Sequence, residues 1–362
     1  MDPLEALIAS RMQRRFVRLV GRGTTALYVA LRALALRDGP GEVILPDIIC
    51  SNVLDAVLLA GFIPVFADVT QDRFAIDPAC IRRKISPSIR AIISAHLFGY
   101  ITDIPDYGIP VIEDAVQGLG GSVNGDPIGT LGTISFTSFN ETKMIGGQGG
   151  AVATDDESLW DAIQQIDLDS TSSPSPFAER GSPLGSKVDR ANSAESDPKG
   201  RGEVSRYTHY HQQLAAVRNT LIRPFDDHPD NIARIRAGWE TLTASVSERN
   251  AKAQYLHDSL AVLPLDLPEI RTGDAIWRYS FAAPNRAAAK WILRHLQAAG
   301  LSGSNLYHSL SNIFAPESAL ASQSFAPNIV NLWVNAETNQ AQLDRAIAVF
   351  RSTPWVRLGI KR

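Results

Sequence analysis

The sequence predicts an α/β protein: a large, mostly parallel seven-strand sheet with helices on both faces, then a smaller C-terminal α/β domain. Three observations carry this reading. Short apolar runs alternate with helical patterns as far as Thr154, which is how strands joined by crossover helices read. After Asp167 the pattern breaks into a stretch crowded with Ser, Pro, Gly and charge. A long helical stretch then leads into further strand and helix patterns. The expected division of the 362 residues is a large domain over 1–235, then a long connecting helix and the small domain over 236–362.

Arg15–Val20 is the first expected strand, followed by Val43–Leu45, Ile63–Ala67, Ala91–His96, Val111–Glu113, Thr133–Thr137 and Ala151–Thr154. Thr25–Leu36 sets Leu27, Leu31 and Leu34 at helical spacing and predicts an amphipathic helix. Ser51–Leu59 and Asp77–Ile85 also read as helices, the second entered through Asp77 as N-cap and Pro78 as first helical residue. The 167–205 stretch, beginning DLDSTSSPSPFAERGSP, has too little apolar surface to offset its ordering entropy. It reads as a flexible insert or, alternatively, as a lid over a cleft. Asn231–Leu263 is the long helix. Trp277–Ala282 and Ile329–Val334 are strands of the small domain; Ala287–Ala299, stopping at Gly300, and Asn339–Phe350 are its helices. Trp277, Tyr279 and Trp333 are expected in its core.

Composition narrows the function. Lys and Arg total 35 against 38 Asp and Glu, a formal charge of −3, so no basic field marks a nucleic-acid partner. Two cysteines cannot staple a chain of this length, which excludes a disulfide scaffold and points to a reducing, cytoplasmic setting. No apolar run is long enough for a membrane span, and the N-terminus lacks the apolar stretch of a signal peptide. No Cys/His grouping has metal-ligand spacing. The arginines at 11, 14, 15, 18 and 22 read as a solvated first element or as a surface for an anionic substrate.

Three segments sit where a strand runs into a loop or helix, the usual ligand edge of an open α/β sheet. Gly21-Arg22-Gly23-Thr24-Thr25-Ala26 follows a strand and opens a helix, whose free N–H groups favour a phosphate; Thr24 and Thr25 add hydroxyls. The same G-x-G-x-x-A also fits a dinucleotide turn, with Asp47 as the only candidate acid, or a plain Gly-rich turn. In Val111–Gln117 an apolar strand ends in Glu113 and Asp114. A carboxylate turned into the mouth of the sheet needs a cation, a metal or a protonated ring nitrogen, whereas an N-cap role needs only a following helix. In Ser138–Gly150, Lys143 lies between an apolar strand and a Gly-rich turn, where a desolvated amine can form a Schiff base. Phosphate cradle, buried carboxylate and imine-forming lysine are together what pyridoxal 5′-phosphate requires.

The runs GTTALYVALRAL, EVILPD, AGFIPVFADV, FAIDP, AIISAHLFGY, VIEDAVQGLGG, SFTSFNETK and GGQGGAV occur in that order. This chain thereby resembles the DegT/DnrJ/EryC1/StrS sugar aminotransferases of PLP fold type I; a fainter likeness covers GLSGSNLYHSL and VNLWVNAETNQAQLDRAI. The resemblance implies a fold type I enzyme with pyridoxal 5′-phosphate as cofactor, working as a homodimer with sites at the subunit interface. It implies that Lys143 holds the cofactor's aldehyde and moves the proton, and that Asp114 pairs with the pyridinium nitrogen. Gln117 lies against the ring's hydroxyl side, and Ser138 with the backbone of Thr24 and Thr25 holds the phosphate. Cys50 and Asn140 are expected beside the cofactor as well. His96, ending a strand that faces the site, reads as a substrate contact or as a packed, hydrogen-bonded histidine. The lysine, where dehydratase relatives carry histidine, implies transamination. An amino group moves from an amino-acid donor such as glutamate to a keto-sugar, nucleotide-linked, or to a related cyclic ketone in secondary-metabolite or surface-glycan biosynthesis.

The chain departs from the family in three places. Cys50 stands where an aromatic ring usually stacks on the cofactor, and Gln148 where Glu or Asp usually precedes the paired glycines. The Gly-x-Asn-x-Arg stretch that reaches the partner subunit has no clean equivalent; the nearest alignment puts Tyr207 and His209 there. Two other functions follow from these residues: a non-catalytic or divergent PLP-fold protein, and an NAD-dependent oxidoreductase built on Gly21–Ala26.

Overall fold

The seven expected strands form one sheet in a computed structural model that describes residues 2–169, 207 and 209–360. They are β1 (Phe16–Val20), β2 (Glu42–Pro46), β3 (Ile63–Ala67), β4 (Ile89–Ala95), β5 (Val111–Asp114), β8 (Ile134–Ser138) and β9 (Gly150–Thr154), in the order β1-β9-β8-β5-β4-β2-β3. The pairs β2–β3, β2–β4, β4–β5 and β5–β8 are parallel, and β9 alone runs antiparallel to its neighbours β1 and β8. A short hairpin, β6 (Ser122–Val123) with β7 (Asp126–Pro127), extends the loop before β8; its two-residue strands leave no alternation for a sequence reading to find.

Helices cover both faces. On one side α2 (Gly23–Asp38), α3 (Ser51–Leu59) and α5 (Glu157–Gln164) pack over Val152, Ile134 and Phe136. On the other, α1 (Pro3–Met12) and the long helix Pro229–Leu260 pack over Val17, Ala151 and Ala153. Residues 151, 152 and 153 alternate between these two cores, as successive strand residues must. The amphipathic expectation for α2 is corrected: Thr24 to Leu31 is a continuous buried run, with Ala33 and Leu34 buried beyond it. A helix enclosed by a sheet and two further helices has no solvated stripe. α4 (Pro78–Lys84) starts with Asp77 accepting from the Ala79 N–H and Pro78 in the first turn, the cap chemistry the sequence predicts.

Of the early arginines, Arg11 and Arg15 are exposed as a solvated element requires, Arg18 and Arg22 are half-buried, and Arg14 is buried. α1 buries Leu4, Ile8 and Met12 at four-residue spacing behind an Asp2–Glu5 capping box. Arg14 is 7% exposed and donates to the carbonyls of Gly129 and Gly132 and to Asp155. Arg18 donates to the carbonyls of Ile163 and Ile166.

The long helix, Pro229–Leu260, crosses the 235/236 point where the connecting helix and small domain were expected to begin. His228 caps it and Pro229 opens it. Beyond it, β10 (Arg278–Ala282), β11 (Gly303–Ser304) and β12 (Ile329–Trp333) form an antiparallel sheet in the order β10-β12-β11, packed by helices Arg286–Ala298 and Gln340–Arg351. Asp47, fully buried, accepts from the Ser311 N–H and the Ser322 hydroxyl, while Asp68 accepts from the amides of Ala321 and Ser322. Arg73 pairs with Asp274 in the interior. These ties hold the C-terminal part over the carboxyl ends of the parallel strands. Of the 167–205 insert, residues beyond Asp169 lie outside the described residues.

Candidate active site

A cavity of about 680 Å³ opens where β1, β5 and β8 end and α2 and α3 begin. Part of its wall is the start of α2, with Gly23 and Thr24 on the lining. Arg22 is extended and gives the helix no side-chain cap, so the first-turn amides stay free to bind an anion. Position 23 must be glycine, because a Cβ there would lie 2.8 Å from the Cβ of Ser138. This close approach sets the Ser138 hydroxyl against the start of α2. Thr24 lines the cavity. The Thr25 hydroxyl does not: it donates to the Leu221 carbonyl and accepts from the Arg223 N–H, leaving only its backbone for the cradle.

The acid pair at the end of β5 divides its tasks. Asp114 lines the cavity, with one carboxylate oxygen accepting from the Val116 N–H at 3.0 Å. Burial raises its carboxyl to about 6. No helix follows, so Asp114 caps a turn and the helix N-cap alternative does not hold. Gln117 lines the same wall; its carbonyl oxygen accepts from the Phe98 N–H and its amide donates to the Tyr307 hydroxyl.

Lys143 enters from the turn after β8. The Asn140 side chain accepts from the Thr142 amide and hydroxyl, fixing this turn while Asn140 itself lines the cavity. Gly149, at φ +126°, brings the chain back into β9, a backbone conformation L side chains rarely adopt. The Lys143 Nζ lies 4.2 Å from the centre of the Trp277 ring. Burial lowers its pKa, against the fields of Cys50 and Asp114. A half-buried amine with a depressed pKa carries a larger neutral fraction and is a better nucleophile. Cys50 lines the cavity at the start of α3, its thiol pushed up by burial.

His96 is not on the cavity. It is 1% exposed, with Nε2 against Glu113 and Nδ1 accepting from the Thr102 N–H, so the substrate-contact reading gives way to the packed histidine. Tyr207 stacks on Phe314 and His209 bonds Gln213; neither lines the cavity. Asp47 is committed to Ser311 and Ser322, which removes the acid a dinucleotide turn needs. Three residues were missed by sequence reasoning. Trp277, expected only as core, is the ring against Lys143. Tyr307 closes on Gln117, and Arg223 lines the cavity beside Gly21. Their places depend on long-range packing that no local pattern announces. Among the described residues no His/Cys/Asp/Glu group could hold a metal, and no helix is long and apolar enough to cross a membrane.

Comparison with known proteins places this cavity in context. Residues 1–188 match the model of the DegT/DnrJ/EryC1/StrS aminotransferase family. Over 147 residues the chain is 42% identical to the UDP-N-acetyl-3-dehydro-alpha-D-glucosamine 3-aminotransferase of Acidithiobacillus ferrooxidans, covering 38% of this chain and 39% of that protein. Over 168 residues it is 34% identical to the 3-oxo-glucose-6-phosphate:glutamate aminotransferase of Bacillus subtilis, covering 44% and 37%. The chain thus spans less than half the length of these curated relatives. The crystal structure of the sugar aminotransferase CalS13 from Micromonospora echinospora shares the fold, with a TM-score of 0.72 at 21% identity over 96% of this chain and 90% of that one.

Proposed function

The chain belongs to the DegT/DnrJ/EryC1/StrS aminotransferase family, and from that premise we propose that it is a pyridoxal 5′-phosphate-dependent aminotransferase. Its amino donor is an amino acid, glutamate in the first instance, and its acceptor a keto-sugar, nucleotide-linked, or a related cyclic ketone of surface-glycan or secondary-metabolite biosynthesis. The observation that carries this reading is that Lys143, Asp114 and the uncapped first turn of α2 face one cavity. The names of the two curated relatives, both for oxo-sugar aminotransferases, support the acceptor class, and one names glutamate.

The residues present fit the cofactor. The α2 amides and the Ser138 hydroxyl hold its phosphate. Asp114, buried and in no ion pair among the described residues, would hold a proton on the pyridine nitrogen, and that pairing would offset the cost of burying the carboxylate. Gln117 would orient the ring and the Lys143 amine would hold the aldehyde. When bound, the cofactor supplies an electron sink for cleaving the bond from the donor's α-carbon to hydrogen. Lys143 Nζ, freed when the donor's amino group takes its place on the aldehyde, would be the base that takes that proton and the acid that returns it. The working form is a cytoplasmic homodimer with the site at the subunit interface.

Excess glutamate is expected to convert the cofactor on the protein to its amine form, and a nucleotide-linked 3-keto-sugar to restore the original spectrum. A protein that binds the cofactor yet converts it with no amino acid would be a binding protein and not an enzyme.

A further inference from the structure

At its α2 end the cavity offers a phosphate less positive charge than it needs. The first-turn amides carry roughly half a unit of positive charge and the Ser138 hydroxyl none, against about two negative charges on a phosphate. Among the described residues three cations line the cavity, Arg22, Lys143 and Arg223. Lys143 is assigned to the aldehyde, and Arg22 donates from Nη1 to the Thr220 carbonyl. The Arg223 side chain has no hydrogen-bond partner and no carboxylate among the described residues; Asp226, three residues on, accepts instead from the His228 N–H.

Arg223 is rooted on the phosphate turn by its backbone. Its carbonyl accepts from the Gly21 N–H at 2.8 Å, and its own N–H donates to the Thr25 hydroxyl at 3.2 Å. Position 21 must be glycine for this approach, since a Cβ there would lie 2.8 Å from the Arg223 carbonyl oxygen and 2.9 Å from the Arg223 Cβ. The side chain therefore starts against the turn that leads into α2. The same segment, 220–226, is also tied to the opposite wall. The Phe225 ring covers Gly149, where an added Cβ would meet it at 2.9 Å, and the Asn231 side chain joins the Asp226 carbonyl to the N–H and carbonyl of Gln148. The backbone that carries the guanidinium is thus fixed before any anion arrives. Exposed and unpaired, the guanidinium keeps its fork for two phosphate oxygens.

We propose that Arg223 pairs with the 5′-phosphate of the cofactor, and so makes the site select phosphorylated over free pyridoxal. This rests on reading the cavity as a pyridoxal 5′-phosphate site. A phosphate on the acceptor is the rival source of the same chemistry. The root of Arg223 on Gly21, two residues before the first residue of α2, favours the cofactor's phosphate.

The test titrates cofactor-free protein with pyridoxal 5′-phosphate and with pyridoxal, followed by absorbance, for wild type, Arg223→Gln and Arg223→Lys. For Arg223→Gln the pyridoxal 5′-phosphate Kd rises roughly 10-fold, the loss of one charge-assisted bond at an exposed position, and its salt dependence flattens. The pyridoxal Kd is unchanged, which also shows the variant to be folded. Arg223→Lys, which keeps the charge without the fork, falls between. An equal rise for both ligands means that Arg223 only braces the turn, and overturns the proposal. A loss on Arg22→Gln with none on Arg223→Gln gives the role to Arg22 and overturns it too. If wild type binds pyridoxal 5′-phosphate on Lys143 and Arg223→Gln binds it equally well, with the loss confined to the KM of a phosphate-bearing keto-sugar, the proposal falls in favour of the acceptor and the transaminase reading stands. Wild type that binds no pyridoxal 5′-phosphate strikes that reading itself.

Discussion

Glu113 and Asp114 are neighbours in β5 but face opposite sides of the sheet. Glu113, with no exposed surface, accepts from the amides of Gly129, Leu131 and Gly132 and meets His96 Nε2. Asp114 accepts one amide and faces the cavity. Two identical charges thus have different environments: one saturated by the protein, the other left for something else.

The pH dependence of stability separates them. Asp114 is raised from the ordinary 3.8 to about 6 by burial. A raised acid contributes stability that is complete below the unfolded pKa and lost as pH rises through the folded one. Cofactor-free protein should therefore lose up to about 3 kcal/mol between about pH 4 and pH 6 relative to Asp114→Asn. Urea titrations across that range check it, and parallel curves for the two proteins would contradict it.

Glu113 behaves in the opposite sense. Its burial penalty is outweighed by His96 and the loop amides, which hold the carboxyl below the usual range. Glu113→Ala leaves these donors and Arg14 facing a void and is expected to cost about 3–5 kcal/mol in a denaturant titration.

Gly23 tests the cradle. A Cβ there meets Ser138 at 2.8 Å. Gly23→Ala must push β8 and α2 apart, costing about 1–3 kcal/mol of stability. Phosphate affinity should fall with it, read as a weaker Kd for pyridoxal 5′-phosphate, whereas Gly39→Ala, strained at φ +80° past the other end of α2, should cost stability and leave that Kd unchanged.

Cys50 reports occupancy. Its thiol is raised by burial, so alkylation should be slow at neutral pH and accelerate as the thiolate forms in alkali. Cofactor should protect Cys50, which lines the cavity, while Cys80, 3% exposed, stays unlabelled in both states. Peptide mass spectrometry after iodoacetamide distinguishes the two cysteines, and equal Cys50 labelling with and without cofactor would contradict its placement.

The large sheet was legible because each strand carries its own apolar run and the crossovers leading into β2, β3 and β4 carry their own helical spacing. Lys143, Asp114 and Ser138 were legible because they fall at strand ends, where side chains must face a crevice. α1 was not, since Arg11 within it and the arginines that follow it masked the spacing of Leu4, Ile8 and Met12. His96 looked like a site residue because its strand points there; only the β4–β5 pairing shows Glu113 intercepting it. Trp277 and Tyr307 meet the lining residues Lys143 and Gln117 through the docking of the C-terminal part, which is fixed by Asp47, Asp68 and Arg73 far away in sequence.

The central claim is that Lys143 carries the cofactor. Protein mixed with pyridoxal 5′-phosphate, reduced with borohydride and digested should yield one pyridoxyl-modified peptide, with the group on Lys143, and Lys143→Ala should yield none and lose at least about 100-fold in transamination. A modified peptide elsewhere, or a Lys143→Ala protein that still transaminates, would contradict the account.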